Sequence, residues 1–417
     1  MKQFFIFIIT LFVYSPLLPW TGEYANAKEY HKPEPLQYQL FGAPDPNLFN
    51  KVDATDTEMK LEDMYNDLNN KKKHLKSSIG VGIVLLGYDK IILELLTLVD
   101  YLSTYSTYSI ELYYADDISK TNMAILSKYD IKIINLSTHP LYIQKVSNDR
   151  KYYLKPLAML ATQFEKVLFL DSDCFPLIHS NANLDSYFDV LNTTDMYFFR
   201  DYWMMTPGNP LYKLIEKPYI LQRQVDSSVI LFRRSKSVNA LLLTYSISLD
   251  EHFDAYLFGD KDTYWFSALL LRFYRPDILA PKVILNPDMS GYLGRSDCGV
   301  GMIHTISNKP SFAHLNGLKS RLTFELKNKV PLYCELNSIY DVLDKNLLNN
   351  QFLMANKDNT AEEDGTQGFR LKSDKGQCVT LHDERIFRTP AVLMTQLDLS
   401  PILENMEKSF KILQKTC

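Results

Sequence analysis

The sequence predicts an α/β fold with a mostly parallel central sheet flanked by helices. Two observations predict it. From Ile79 onward, short unbroken apolar runs alternate with segments of helical apolar spacing. Strands that alternate with helices build βαβ units, and an unbroken apolar run suits a strand covered on both faces. The second observation is Asp171-Ser172-Asp173, which follows the run Val167-Leu168-Phe169-Leu170. Ligands of open α/β sheets bind at that edge, beyond the carboxyl ends of the strands.

The elements follow in order. Val81 to Gly87 reads as a buried first strand ending in a Gly turn, and Asp89 to Tyr105 as a helix through Ile92, Leu95, Leu96 and Val99. Ile110 to Tyr114 is strand-like and ends at Asp116-Asp117. Thr121 to Tyr129 reads as helix, Ile131 to Leu136 as strand, and Tyr153 to Phe164 as the helix that leads into Val167 to Leu170. Ser228 to Phe232 reads as a strand and Lys236 to Ser246 as a helix. Gly259-Asp260-Lys261-Asp262-Thr263 opens another helix through Trp265, Ala268, Leu269 and Leu271. Ala355 to Gly368 reads as a polar loop. Near the C-terminus, Ser400 is placed as N-cap and Pro401 at the first helical position. Ile402, Leu403, Met406, Phe410 and Leu413 then form one apolar stripe, expected to pack on the core.

The 417 residues suffice for one large domain with appendages or for two domains, and 46% hydrophobic content supplies a core. A net charge of −4 gives no reason to expect nucleic acid as partner. No GxGxxG or GxxxxGK[ST] occurs, so neither a dinucleotide fingerprint nor a P-loop is supported. Residues 1–27 read as a signal peptide or signal anchor: Lys2 precedes an apolar stretch from Phe4 to Trp20, followed by Ala25-Asn26-Ala27. Both readings place the remainder in the secretory lumen, and the anchor reading adds membrane attachment. Asn135-Leu136-Ser137 and Asn192-Thr193-Thr194 are sequons that agree with that address. The five cysteines are widely spaced and contain no CxxC metal pair. Residues 28–76, with four prolines and a solvated Lys71-Lys72-Lys73 run, read as a stem or linker. Residues 77–345 form the expected catalytic domain and 346–417 a C-terminal extension.

Two carboxylates one residue apart at a sheet edge suit a hard divalent cation, and a nucleotide diphosphate needs such a cation to offset its charge. Asp173 is the expected direct ligand, and Asp171 is placed to contact metal or ribose. The alternative is an ordinary acidic turn after a strand.

Four segments then occur in a telling order. They are Tyr152 to Ala158 running through Phe164 to Asp173, Gln224 to Ile230, Gly259 to Trp265, and Phe312 to Lys319. Together they resemble the fungal Golgi α-mannosyltransferases, the α-1,3-mannosyltransferase family with a GT-A fold. The resemblance spans about Ile79 to Lys319 and omits the stem and the terminal helix. Where that family usually carries Glu-Ser-Gly, this chain has Asp226-Ser227-Ser228.

The resemblance implies a retaining α-mannosyltransferase. It would use GDP-mannose as donor, Mn²⁺ or Mg²⁺ as cofactor and a glycan or glycoprotein as acceptor, in the Golgi lumen. The His-x-x-Gly-x-Lys arrangement from His314 to Lys319 resembles the late metal motif of related enzymes. It makes His314 a third ligand and aims Lys319 at a phosphate. His304 competes for the ligand role, and a buried core histidine is the plain alternative for either. Asp226, Asp260 and Asp262 are candidates at the reacting sugar and acceptor, with a helix N-cap as the alternative for Asp260. Lys155, at a helix start, is placed to approach the nucleotide. Two other readings stand beside this one: a related hexosyltransferase using a UDP-sugar, and a secreted carbohydrate-binding homologue that has lost catalysis.

Overall fold

The computed structural model describes residues 54–144, 151–178, 184–204, 209–215, 223–257, 260–286, 291–295, 298–307, 309–315, 351–353, 370–372, 378–380, 394–396 and 399–416. The apolar N-terminal segment and the polar stretch from Ala355 to Gly368 lie outside the described residues.

In chain order the first elements are α1 (Ala54–Lys72), β1 (Val81–Leu86), α2 (Ile92–Tyr105), β2 (Ser109–Tyr114), α3 (Lys120–Leu126) and β3 (Lys132–Asn135). Next come α4 (Leu154–Ala161), β4 (Lys166–Leu170), β5 (Cys174–Pro176), α5 (Leu184–Phe188), β6 (Met196–Met204), α6 (Leu211–Leu214) and β7 (Arg223–Arg233). Then follow α7 (Arg234–Leu249), α8 (Thr263–Phe273), β8 (Val283–Leu285), β9 (Gly291–Arg295), β10 (Cys298–Ile306) and β11 (Lys309–His314). Helix α9 (Ser400–Gln414) ends the described chain.

The central sheet has seven strands in the order β3-β2-β1-β4-β7-β6-β8. The pairs β2–β3, β1–β2, β1–β4 and β6–β8 are parallel, and β7 runs antiparallel to both its neighbours. This is the mostly parallel α/β sheet that the sequence predicts.

The alternation of side chains explains the unbroken apolar runs. Ile83 and Leu85 of β1, Leu168 and Leu170 of β4 and Leu231 of β7 share a core with α2 and α9. Val84, Val167, Phe169, Ile230 and Phe232 point the other way, into a core shared with α1, α4, α7 and α8. Both faces are covered, which is why these strand positions are apolar on either side.

The structure alters two details of the sequence reading. The stretch expected to be a linker contains α1, whose Leu61, Tyr65 and Leu68 are buried in the second core. Their helical spacing is hidden by the polar residues around them. Strand β7 starts at Arg223, so Asp226 lies inside it rather than ahead of it. Opposite β6, Phe198 pairs with Ile230 while the next residue, Phe199, pairs with Asp226. The intervening Ser227 to Val229 form a bulge, a device that re-aims side chains at sheet edges.

A second, mainly antiparallel sheet contains β9, β10 and β11, and the short β5 pairs with β11. Helix α9 starts at Ser400 with Leu399 as its N-cap, one residue earlier than the sequence suggests. Its stripe of Ile402, Leu403, Met406, Phe410 and Leu413 is buried in the first core. No helix among the described residues is long and apolar enough to cross a membrane.

Candidate active site

The site is built where β4 ends. Beyond Leu170 the chain turns at Asp171, whose backbone N–H donates to the Ser228 carbonyl at 2.7 Å and whose carbonyl accepts from Cys174 N–H at 3.0 Å. The turn then returns as β5, which pairs with β11 so that Cys174 lies opposite His314. The Asp173 carbonyl accepts from Leu315 N–H at 2.8 Å. These ties bring His314 beside Asp173, 3.7 Å from Nε2 to Oδ2, although the two are far apart in sequence. Asp173 is buried, unlike the residues of an ordinary acidic turn.

Asp226 joins the same cluster. Its Oδ2 lies 2.6 Å from His304 Nε2 and 2.9 Å from His314 Nδ1. Ser228 donates its N–H to Oδ1 at 2.9 Å and its hydroxyl to Oδ2 at 2.8 Å. Burial alone would push the Asp226 carboxyl up, but His314 and His304 hold it well below the usual carboxylate range. Burial would likewise lower His314, yet Asp226 and Asp173 outweigh it and raise the imidazole to about 10. His304 is fully buried, its ring centre 5.0 Å from that of Phe199.

A second group flanks the first. Lys155, near the start of α4, is buried, and its Nζ donates to Asp171 Oδ2 at 3.0 Å and to the Ser227 carbonyl at 3.2 Å. It forms an ion pair with Asp260 Oδ2 at 2.6 Å. Burial would lower this ammonium's pKa, but Asp171 and Asp260 more than reverse that and raise it. Asp260 therefore does not cap α8: Asp262 holds the N-cap position, without a side-chain cap bond. The Asp262 Oδ1 accepts from Val225 N–H at 3.0 Å, one residue from Asp226, and burial pushes its carboxyl up to about 7.

Eight of the nine residues singled out in sequence, His304 among them, thus lie in two adjoining groups, one around Asp226 and one around Lys155. Lys319 lies outside the described residues. The third helix-opening residue, Lys261, pairs with the buried Asp201 of β6 at 2.6 Å. Nothing in sequence spacing marks Asp201. His304 was visible only as a competitor of His314, whereas the strand pair β10–β11 sets it opposite Phe312, near His314.

The donor chemistry suits a divalent ion. Asp226, His304 and His314 offer one carboxylate oxygen and two imidazole nitrogens within 4.8 Å of one another. Asp173 adds a second carboxylate beside His314. Carboxylates with imidazole fit Mn²⁺ better than an all-oxygen Ca²⁺ cage, so the residues present fit the metal that the sequence led us to expect.

Part of the chain is similar to known proteins. Residues 80–219 match the family described as "Mannosyltransferase putative". That segment runs from β1 through α6 and includes Lys155, Asp171 and Asp173. No curated protein matches the chain. Among solved structures, core-mannan synthase A from Aspergillus fumigatus, in a Mn/GDP form, overlaps 50% of this chain and 73% of its own, at 10% identity and TM-score 0.35. The galactosyltransferase LgtC, in complex with donor and acceptor sugar analogues, overlaps 49% and 72% at 16% identity and TM-score 0.33. The bifunctional glycosyltransferase WbbM overlaps 51% of this chain, which spans 39% of WbbM, at 15% identity and TM-score 0.34.

Proposed function

We propose that this protein is a divalent-metal-dependent glycosyltransferase that moves mannose from GDP-mannose to a glycan acceptor with retention of configuration. The observation that carries this reading is the Asp173–His314–Asp226–His304 cluster at the carboxyl edge of β4, of which Asp173 lies in the segment that matches a mannosyltransferase family. Asp173 and His314 would hold the ion, which when bound stabilises the charge that develops on the leaving diphosphate. Lys155 brings a buried positive charge to the same edge and fixes Asp171 and Asp260 on either side of it. Asp171, the more open of these carboxylates, is placed for the ribose of the donor. Asp260, held by Lys155, is the carboxylate presented to the sugar. Asp262 supports the site from below through its bond to Val225.

The apolar segment from Phe4 to Trp20 and the two sequons support a luminal address in the secretory pathway, with a glycoprotein glycan as the natural acceptor.

The test is a panel of GDP-mannose, UDP-galactose and UDP-glucose, with and without Mn²⁺, offered with mannobiose and O-mannosyl peptide acceptors. Mn²⁺-dependent transfer from GDP-mannose is expected, abolished in Asp173→Ala. Preference for a UDP-sugar would move the donor assignment. A folded protein that turns over no donor and still binds mannosides would overturn the enzymatic reading.

A further inference from the structure

We infer that Asp226 is a positioning residue: it accepts the Nδ1 proton of His314 so that Nε2 of that ring faces the metal beside Asp173, and His304 braces Asp226 without ligating the metal itself. The inference rests on the metal reading proposed above and departs from the sequence expectation that Asp226 acts at the sugar.

The hydrogen bonding of Asp226 carries it. Oδ2 receives three donors: His304 Nε2 at 2.6 Å, Ser228 Oγ at 2.8 Å and His314 Nδ1 at 2.9 Å. Oδ1 receives Ser228 N–H at 2.9 Å. A carboxylate oxygen offers about two lone-pair directions. Oδ2 is therefore saturated, which leaves only the second lone pair of Oδ1 for any further partner of Asp226. Asp226 is also almost wholly buried, and the bulge that contains Ser228 fixes its direction.

The other end of His314 points to the same conclusion. With Nδ1–H given to Asp226, Nε2 is the ring nitrogen left to take a cation in place of its proton. That atom faces Asp173 Oδ2 at 3.7 Å, beyond hydrogen-bond range. A histidine that ligates through one nitrogen and donates the other N–H to a carboxylate is oriented and made more basic by it. His304 differs: the nitrogen it turns to the cluster is already spent on Asp226, and the residue has no exposed surface.

Mn²⁺ titration followed by electron paramagnetic resonance tests this, with electron spin-echo modulation counting the imidazole nitrogens on bound Mn²⁺. Circular dichroism on each variant verifies folding. The wild type is expected to show one coordinated imidazole, lost in His314→Gln and kept in His304→Gln. Asp226→Asn retains an acceptor for Nδ1–H but loses the charge. It should bind Mn²⁺ about 10- to 100-fold more weakly, still show the His314 signal, and regain most of its kcat in excess Mn²⁺.

Two coordinated imidazoles in the wild type, or loss of one in His304→Gln, would overturn the inference. So would Asp226→Asn with wild-type Mn²⁺ affinity and a kcat that excess Mn²⁺ leaves depressed, because that is the behaviour of a group acting on the sugar. A folded wild type that binds no Mn²⁺ removes the metal reading, and this inference with it.

Discussion

Lys155 illustrates how much one side chain holds at this edge. It is the buried cation between Asp171 and Asp260, and its removal leaves two carboxylates facing one another. Lys155→Met should cost about 3–5 kcal/mol, the usual penalty for breaking a buried pair from one side. Urea unfolding of the two proteins reads this directly, and a loss below about 1 kcal/mol would show that the clamp does little. Glu111 is a second such residue, away from the site. Its carboxylate accepts from Thr162 at 2.6 Å, Tyr113 at 2.8 Å and Lys132 at 2.9 Å. Burial would raise its pKa, but these partners hold it below the ordinary 4.5. A folded value below the unfolded one means that the stabilisation is present above about pH 4.5 and lost as pH falls through the folded value. Glu111→Gln should therefore be less stable than the wild type at pH 7, by about 1–3 kcal/mol. The gap should close in acid. A gap that stays constant from pH 7 to pH 3 would rule out this linkage.

At the scale of elements, β11 decides where His314 sits, and Gly301 of β10 decides how close β11 comes. A Cβ on Gly301 would lie 2.5 Å from the carbonyl oxygen of His314, a backbone atom that cannot swing aside. Gly301→Ala should displace β11 and weaken Mn²⁺ binding at least about tenfold, the scale of effect seen when a ligand's support is disturbed. Unchanged affinity by calorimetry would mean that the strand can shift without moving the imidazole. The strands around β1, β2 and β4 were legible in sequence because two-sided burial writes an unbroken apolar run. The bulge in β7 was not, since Asp226 and Ser227 read as a polar lead-in to a strand starting at Ser228. The pairing of β5 with β11 was equally hidden. Three residues between turns give no period, and the register joins Cys174 to His314 across well over a hundred positions. Residue types at the site were thus readable, whereas their division into an Asp226 group and a Lys155 group was a product of tertiary pairing.

For the whole molecule, α9 contributes through its apolar stripe far more than through its charges. Phe410 is fully buried, and Phe410→Ala should cost about 3–5 kcal/mol. Lys408 reaches Asp100 of α2 at 2.7 and 2.9 Å, but its side chain is 59% exposed. Lys408→Ala should cost less than about 1 kcal/mol. Urea midpoints of the two variants check the contrast, and equal losses would refute it. The sequons divide in a similar way. Asn192 is exposed at the end of a short helical turn and donates only a long bond to Asp189, at 3.3 Å, while the half-buried Asn135 ends β3, donates to Asp116 at 2.6 Å and accepts from Ser137 N–H at 2.9 Å. Expressed through a secretory host, Asn192→Gln should remove one glycan mass and Asn135→Gln none. The docking of α9 has a further consequence for how the chain reaches this state. Asp100 and Lys408 are separated by 308 positions, so the outer side of α2 stays bare until α9 has been made. A nascent chain halted before α9 presents Leu98, Leu102 and their neighbours to anything apolar nearby. The final helix thereby sets the moment at which the newborn protein ceases to be a target for chaperones.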